Sequence, residues 1–260
     1  LRFSRGYSKR GIMKDTVALV LAAGKGTRMY SDLAKVLHPI CGRPMLSYTL
    51  IALEELGFDR VLVVVGHQAE RIKEIFADAR VEWVLQSQQL GTAHAVQCAL
   101  PHLIDHGGAV LICCGDTPLL TAETLRLFQI EHMNRGADLS VLSMLLDEPG
   151  SYGRVVRDSG GEVSGIIEAK DVSAQERTIR EVNTGIYCVS ADLLRAVLPD
   201  VENANVQGEY YLTDLVQMAV GRGWNVQAVT ASDPMEFMGV NTNGELEAVE
   251  EVIAQRIQGH

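Results

Sequence analysis

The segment Leu19-Val20-Leu21-Ala22-Ala23-Gly24-Lys25-Gly26-Thr27-Arg28-Met29 is the strongest constraint on how this chain can fold. An apolar run stops at two glycines interleaved with polar and cationic side chains. Such a sequence suits a buried strand opening into a loop whose backbone N–H groups cradle phosphate. Gly24 and Gly26 permit positive φ and admit an anion where a Cβ would block it. Arg28 and Lys35 add permanent charge. Two better-known phosphate loops do not fit: a P-loop requires Lys followed by Ser or Thr after its last Gly, and the dinucleotide fingerprint requires a third Gly where Met29 stands. The segment therefore points to a nucleoside triphosphate site that is neither a P-loop ATPase nor a dehydrogenase. Taken alone, it also fits an ordinary strand-to-loop turn with solvated basic residues.

Short apolar runs then alternate with helical patterns. Thr16–Ala22, Arg60–Val65, Val81–Gln86 and Ala109–Cys114 read as strands, and Met45–Leu56, Glu70–Ala77 and Thr92–His102 as helices. This βαβ alternation predicts an α/β fold, a Rossmann-like and mostly parallel sheet flanked by helices on both faces. After a helix at Thr121–Asn134 come closely spaced strands at Leu139–Leu145, Val155–Arg157, Val163–Ile167 and Gly185–Val189, a smaller β-rich part. A strand at Val226–Thr230 follows, and then a helix at Glu245–Ile257 with Leu246, Val249, Val252, Ile253 and Ile257 on one stripe. That stripe packs on the parent domain or, alternatively, on a second copy in a homo-oligomer.

The 260 residues are 47% hydrophobic, ample for a core. A formal net charge of −10 argues against nucleic-acid and anionic-membrane partners, which require a basic face. No apolar run approaches the roughly 18–20 residues that span a bilayer. Cys41, Cys98, Cys113, Cys114 and Cys188 show neither zinc spacing nor an even count, so reduced thiols and a cytoplasmic location are expected. Residues 1–12 carry four basic and no acidic side chains and read as a disordered extension before Met13.

The signature Leu21–Met29 with Lys35-Val36-Leu37 resembles the sugar nucleotidyltransferase family, and within it the uridylyltransferase (pyrophosphorylase) domains of the bacterial GlmU type. The likeness continues through Gln86, Gln89-Leu90-Gly91-Thr92-Ala93-His94-Ala95, Gly115-Asp116-Thr117-Pro118, Tyr152-Gly153-Arg154 and Glu168-Ala169-Lys170-Asp171. It ends with Asn183-Thr184-Gly185, the run Gly208–Asp214, and Gly239-Val240-Asn241. Blocks in the family's order across roughly residues 15–245 are far more specific than any one motif.

The resemblance implies the nucleotide-diphospho-sugar transferase fold and a reaction in which N-acetylglucosamine 1-phosphate attacks the α-phosphate of UTP. UDP-N-acetylglucosamine, a nucleotide sugar of cell wall biogenesis, and pyrophosphate are the implied products. It assigns Arg28 and Lys35 to catalysis, and Leu21, Ala23, Gly24, Gly26, Thr27, Gln86, Gln89, Gly91 and Thr92 to the nucleotide. Gly153, Glu168, Asn183, Tyr211 and Thr213 fall to the sugar, and Asp116 with Asn241 to Mg²⁺. Residues 13–235 would form the nucleotidyltransferase domain, with 236–260 supplying a metal-site segment and the amphipathic helix. Independently of the likeness, Asp116 follows an apolar strand, at the edge where open α/β sheets bind ligands. His38, His67 and His94 lack ligand spacing and read as structural or surface residues.

Three positions depart from the family pattern: Ala93 for Gly, Cys114 for Tyr and Ala169 for His. They leave open another sugar 1-phosphate, or CTP or dTTP, as substrate. A non-catalytic nucleotide-sugar-binding module is the remaining alternative. The hexapeptide repeat that forms the acetyltransferase half of GlmU proteins is absent from this sequence, so acetyl transfer is not expected of it.

Overall fold

In the computed structural model, residues 15–258 are described; the expected extension at 1–12 and the start at Met13 lie outside them. Strands β1 (Thr16–Ala22), β4 (Val61–Val65), β5 (Glu82–Leu85) and β6 (Ala109–Cys114) form a parallel block in the order β5-β4-β1-β6, with Leu19 opposite both Leu62 and Ile112. Beyond β6 the sheet continues through β10 (Glu181–Ser190), β7 (Leu139–Leu145) and β11 (Val226–Thr230), making β10 antiparallel to both its neighbours and β11 parallel to β7. The hairpin of β8 (Arg154–Arg157) and β9 (Val163–Ile167) hangs from β10 and completes a nine-stranded mixed sheet.

Helices cover both faces, as continuously apolar parallel strands require. On one face pack α1 (Met45–Leu56), α2 (Ala69–Ile75) and α4 (Ala122–Asn134), through Leu46, Leu53, Ile72, Leu125 and Phe128. On the other lie α3 (Thr92–Ala99), α5 (Ala191–Val197) and α6 (Asp214–Gly221), through Val96, Leu194 and Leu215. A third, small cluster joins Met29, Ile40, Met45, Leu119 and Val240 to Val249 and Ile253 of α7 (Asn243–Gln258). The stripe on α7 thus packs on the body of its own chain, with Leu246 and Val252 at its margin, while Ile257 is left exposed.

Several boundaries differ from the sequence expectation, each for a local reason. The helix expected over Thr92–His102 ends at Ala99 and gives way to a 3₁₀ turn, Leu100–Leu103, because Pro101 has no N–H for another α turn. β10 begins four residues earlier than its apolar run, at Glu181. Its polar residues Asn183 and Thr184 extend the ladder up to a bulge at Gly185, where φ is +82°. The start of α7 is fixed by a capping box that the apolar stripe did not reveal. Glu245 N–H donates to Thr242 Oγ1 at 3.3 Å, and Glu245 Oε2 accepts from Thr242 N–H at 2.8 Å. Between β1 and α1, β2 (Pro39–Ile40) and β3 (Arg43–Pro44) form a minimal hairpin about Cys41 and Gly42, both at positive φ.

Candidate active site

The parallel strands deliver their C-terminal ends to one rim. There a cleft of about 490 Å³ is lined by Leu21, Ala23, Gly24, Gly26, Thr27, Lys35, Gln86, Gln89, Gly91, Thr92 and Asp116. All nine residues expected to meet the nucleotide therefore border one cavity. Cys114, one of the three departures from the family pattern, borders it as well, as do Lys25 and Glu209, to which the sequence assigns no role. Lys25 was already visible between Gly24 and Gly26, in the same phosphate-binding signature.

Only one of the two loop glycines needs its special backbone. Gly26 has φ +66°, and a Cβ there would lie 2.6 Å from Lys35 Cβ, so its bareness lets the Lys35 stem pass. Gly24 does not adopt positive φ and meets nothing within 4 Å. The expectation of positive φ at Gly24 is corrected accordingly: its missing side chain leaves open space in the cleft rather than relieving the backbone.

Two cationic and two oxygen-bearing side chains, far apart in sequence, converge beside this loop. Lys35 Nζ is ion-paired with Asp116 Oδ2 and donates to Asn241 Oδ1 at 3.1 Å, while Arg28 Nη2 donates to the same Oδ1 at 2.9 Å. Asp116 is carried on the turn after β6, whose end is held by Gly115 N–H donating to Leu21 C=O at 3.0 Å. Asn241 arrives from the α7 side, and its N–H donates to Glu245 Oε2 at 2.7 Å. Asn241 Oδ1 and a carboxylate oxygen of Asp116 thus already share one cation, the Lys35 ammonium. Hard oxygens so placed suit Mg²⁺, which takes one or two protein oxygens and fills its remaining positions with water and phosphate. Among the described residues no group of three or more His, Cys, Asp or Glu forms a denser metal cage.

At the far end of the cleft, Gln86 is buried and bound within its own chain. Its Nε2 donates to Gly91 C=O at 3.1 Å and contacts His94 Nδ1 at 3.0 Å. Gln89 Nε2 donates to the Gln86 carbonyl at 2.9 Å, bracing the loop. Gly91 has φ +124°, and a Cβ there would fall 2.4 Å from the Tyr210 carbonyl oxygen. The two backbones are stitched together there by Tyr210 N–H to Leu90 C=O (2.8 Å), Ala93 N–H to Tyr210 C=O (2.9 Å) and Leu212 N–H to Thr92 Oγ1 (3.0 Å). Ala93 sits at negative φ inside α3, so replacing the family's Gly there carries no backbone strain. His94, read from the sequence as a structural or surface residue, is half-buried and holds Gln86.

The residues expected to meet the sugar gather beyond Cys114 without lining the cleft itself. Thr213 Oγ1 donates to Glu168 Oε1 at 3.0 Å, and a Cβ on Gly153 would lie 3.7 Å from Glu168 Oε2. Burial pushes the Glu168 carboxyl above its usual range, the Thr213 hydrogen bond opposes this, and the neighbouring Asp214, Asp171 and Glu209 add to the rise. Asn183 spends its amide locally, donating to Tyr187 Oη at 2.7 Å and accepting from Gly185 N–H at 3.0 Å. Tyr211 is buried, and its hydroxyl accepts from Gln207 Nε2 at 2.6 Å. Cys114 Sγ lies 3.6 Å from Gly185 C=O. Burial, reinforced by the Asp116 carboxylate against Lys35, pushes its thiol up to about 12, so it remains neutral.

Comparison with known proteins identifies the family. Residues 18–166 match the MobA-like NTP transferase domain. The chain belongs to that family. The matched span contains the phosphate loop, the Gln86–Thr92 loop and Asp116, whereas Asn241 lies outside it. Among curated relatives of this NTP transferase domain, the bifunctional protein GlmU of Trichlorobacter lovleyi is 50% identical over 246 residues, 94% of this chain and 54% of the relative. GlmU of Geotalea daltonii is 46% identical over 246 residues, with the same two coverages. The chain thus spans about half the length of the curated relatives it matches, in agreement with the GlmU-type resemblance read from the sequence. A solved structure from Bacillus anthracis, described as a candidate glucose-1-phosphate thymidylyltransferase, shares the fold at a TM-score of 0.73. It covers 91% of this chain and 94% of its own, at 18% identity. Among the described residues, no helix is long and apolar enough to cross a membrane.

Proposed function

We propose that this chain is a uridylyltransferase that joins UTP and N-acetylglucosamine 1-phosphate into UDP-N-acetylglucosamine with release of pyrophosphate. The observation that carries this reading is the convergence of Arg28, Lys35, Asp116 and Asn241 at the mouth of the nucleotide cleft. The half-length kinship with bifunctional GlmU proteins supports it.

In the proposed reaction a phosphate oxygen of the sugar 1-phosphate forms a bond to the α-phosphorus of UTP. The bond from that phosphorus to the bridging oxygen breaks, and the electron pair leaves with pyrophosphate. No covalent enzyme intermediate is needed, so the protein's work is alignment and charge neutralisation. Lys35 and Arg28, sharing one acceptor, are held as a pair within reach of the phosphates. The backbone of Gly24–Thr27 offers N–H groups to the triphosphate. Asp116 and Asn241 would hold Mg²⁺, which would supply the remaining charge neutralisation on the phosphate oxygens. Glu168 and Thr213 would take sugar hydroxyl or amide groups, with Gly153 leaving space for the ring.

The test is a pyrophosphate-release assay with Mg²⁺ over UTP, CTP and dTTP, each paired with N-acetylglucosamine 1-phosphate and glucose 1-phosphate. The reading requires the highest kcat/KM for UTP with N-acetylglucosamine 1-phosphate. Equal values for the two sugars defeat the N-acetyl assignment, and a higher value with CTP defeats the uridylyl assignment.

A further inference from the structure

Gln86 lines the cleft, yet both hydrogens of its amide are spent inside the chain. One goes to Gly91 C=O at 3.1 Å and the other to His94 Nδ1 at 3.0 Å. Gly91 C=O can only accept, so the nitrogen of the amide must face it. Nδ1 must then also accept, which places the proton of a neutral His94 on Nε2. Nε2 points to Cys98 Sγ at 3.9 Å, one helical turn along α3, where a weak sulfur acceptor is available. Rotating the Gln86 amide by half a turn would set its oxygen against both the Gly91 carbonyl and the Nδ1 lone pair.

Gln86 Oε1 has no hydrogen-bond partner among the described residues and is not among the sealed, unpartnered atoms of the interior. The one group that Gln86 can offer a ligand is therefore a fixed acceptor. His94 is itself held: its ring lies 6.4 Å from that of Tyr210, whose backbone pairs with Leu90 and Ala93 around Gly91.

We infer that His94 is a positioning residue that sets the base preference of the site, by locking Gln86 into the one amide orientation that presents only an acceptor. Such a group bonds a pyrimidine that carries N–H at ring position 3, as uracil and thymine do. Facing ring position 3, it meets a lone pair in cytosine and the two acceptors repel; cytosine's own donor, the 4-amino group, lies one ring position away. This deepens the uridylyl reading and rests on it. It also separates the preference from Gln86 alone: a free glutamine could turn and offer either its oxygen or its NH₂ group.

The experiment compares kcat/KM for UTP and CTP in wild type, His94→Phe and His94→Asn. Phe keeps a ring beside Tyr210 without an acceptor, whereas Asn restores an oxygen near the place of Nδ1. The expected result is a fall in the UTP-to-CTP ratio of about tenfold or more in His94→Phe, with His94→Asn within about threefold of wild type. A role confined to packing would lower both substrates together and leave the ratio unchanged. Wild type lacking a UTP preference defeats the uridylyl reading itself. A wild-type preference that survives intact in His94→Phe defeats this proposal alone. Should His94→Phe fail to fold, ¹⁵N NMR of the histidine ring in the unmodified protein decides the matter. The proposal requires a proton on Nε2 and an accepting Nδ1, and a neutral ring protonated on Nδ1 overturns it.

Discussion

Asn241 accepts a hydrogen bond from Lys35 at 3.1 Å across 206 positions of sequence. The contact draws together the first loop of the fold and the entry to its last helix. Asn241 owes its place to the capping box of α7, because the Glu245 carboxylate that caps Thr242 also accepts from Asn241 N–H at 2.7 Å.

Removing that carboxylate separates stability from catalysis. Glu245→Ala should cost about 1 kcal/mol of stability, the usual worth of a cap. It should also lower kcat more than it raises the KM for UTP, since Asn241 is no longer held against Lys35 and Arg28. Chemical denaturation alongside a pyrophosphate-release assay checks both. A destabilised variant with normal kcat would show that Asn241 is fixed by other means.

Gly91 and Gly24 should respond oppositely to the same substitution. At Gly91 a Cβ would stand 2.4 Å from Tyr210 O and 2.6 Å from Tyr210 N, on a backbone at φ +124°. Gly91→Ala should therefore lose about 1–3 kcal/mol, from backbone strain and overpacking. Gly24→Ala meets no atom within 4 Å, so its stability should be that of wild type while the KM for the nucleotide rises. Thermal melts with and without UTP distinguish the two. An unstable Gly24→Ala would contradict the assignment of that space to a ligand.

Much of this site is legible in the sequence because its chemistry sits where apolar strands stop. Leu19–Ala22 and Leu111–Cys114 are unmistakable buried strands, and the glycines and Asp116 after them fall at the strand ends that border the cleft. Other features depend on tertiary partners. Ala191–Val197 and Asp214–Gly221 escaped detection as helices, being only 7 and 8 residues long. Nothing in local spacing links His94 to Gln86, because their contact depends on the strand-to-helix turn at Gly91. Asn183 is assigned to the sugar by resemblance, and its spacing does not show that the bulge before Gly185 turns its amide onto its own strand.

Glu168 predicts a pH-dependent gain in stability. Its carboxyl is raised by burial, so the folded protein holds that proton more tightly than the unfolded chain. Stability is therefore lost as pH climbs from the ordinary carboxylate range through the raised value. Glu168→Gln cannot ionise, and its Oε1 can still accept from Thr213. The variant should melt above wild type near about pH 8, converge with it near about pH 4, and show a higher KM for N-acetylglucosamine 1-phosphate. A lower melting temperature for the variant at the higher pH would mean that the ionised form is favoured by the fold.

The most direct test of the account is pyrophosphate release from UTP and N-acetylglucosamine 1-phosphate by Asp116→Ala beside wild type, in Mg²⁺. Asp116 is the carboxylate ion-paired with Lys35 in the cluster that gathers Lys35, Arg28 and Asn241 at the cleft. Its loss should reduce kcat on the order of a thousandfold, or several kcal/mol of transition-state stabilisation, in a protein that still folds. Near-normal turnover by a folded Asp116→Ala would place the chemistry elsewhere.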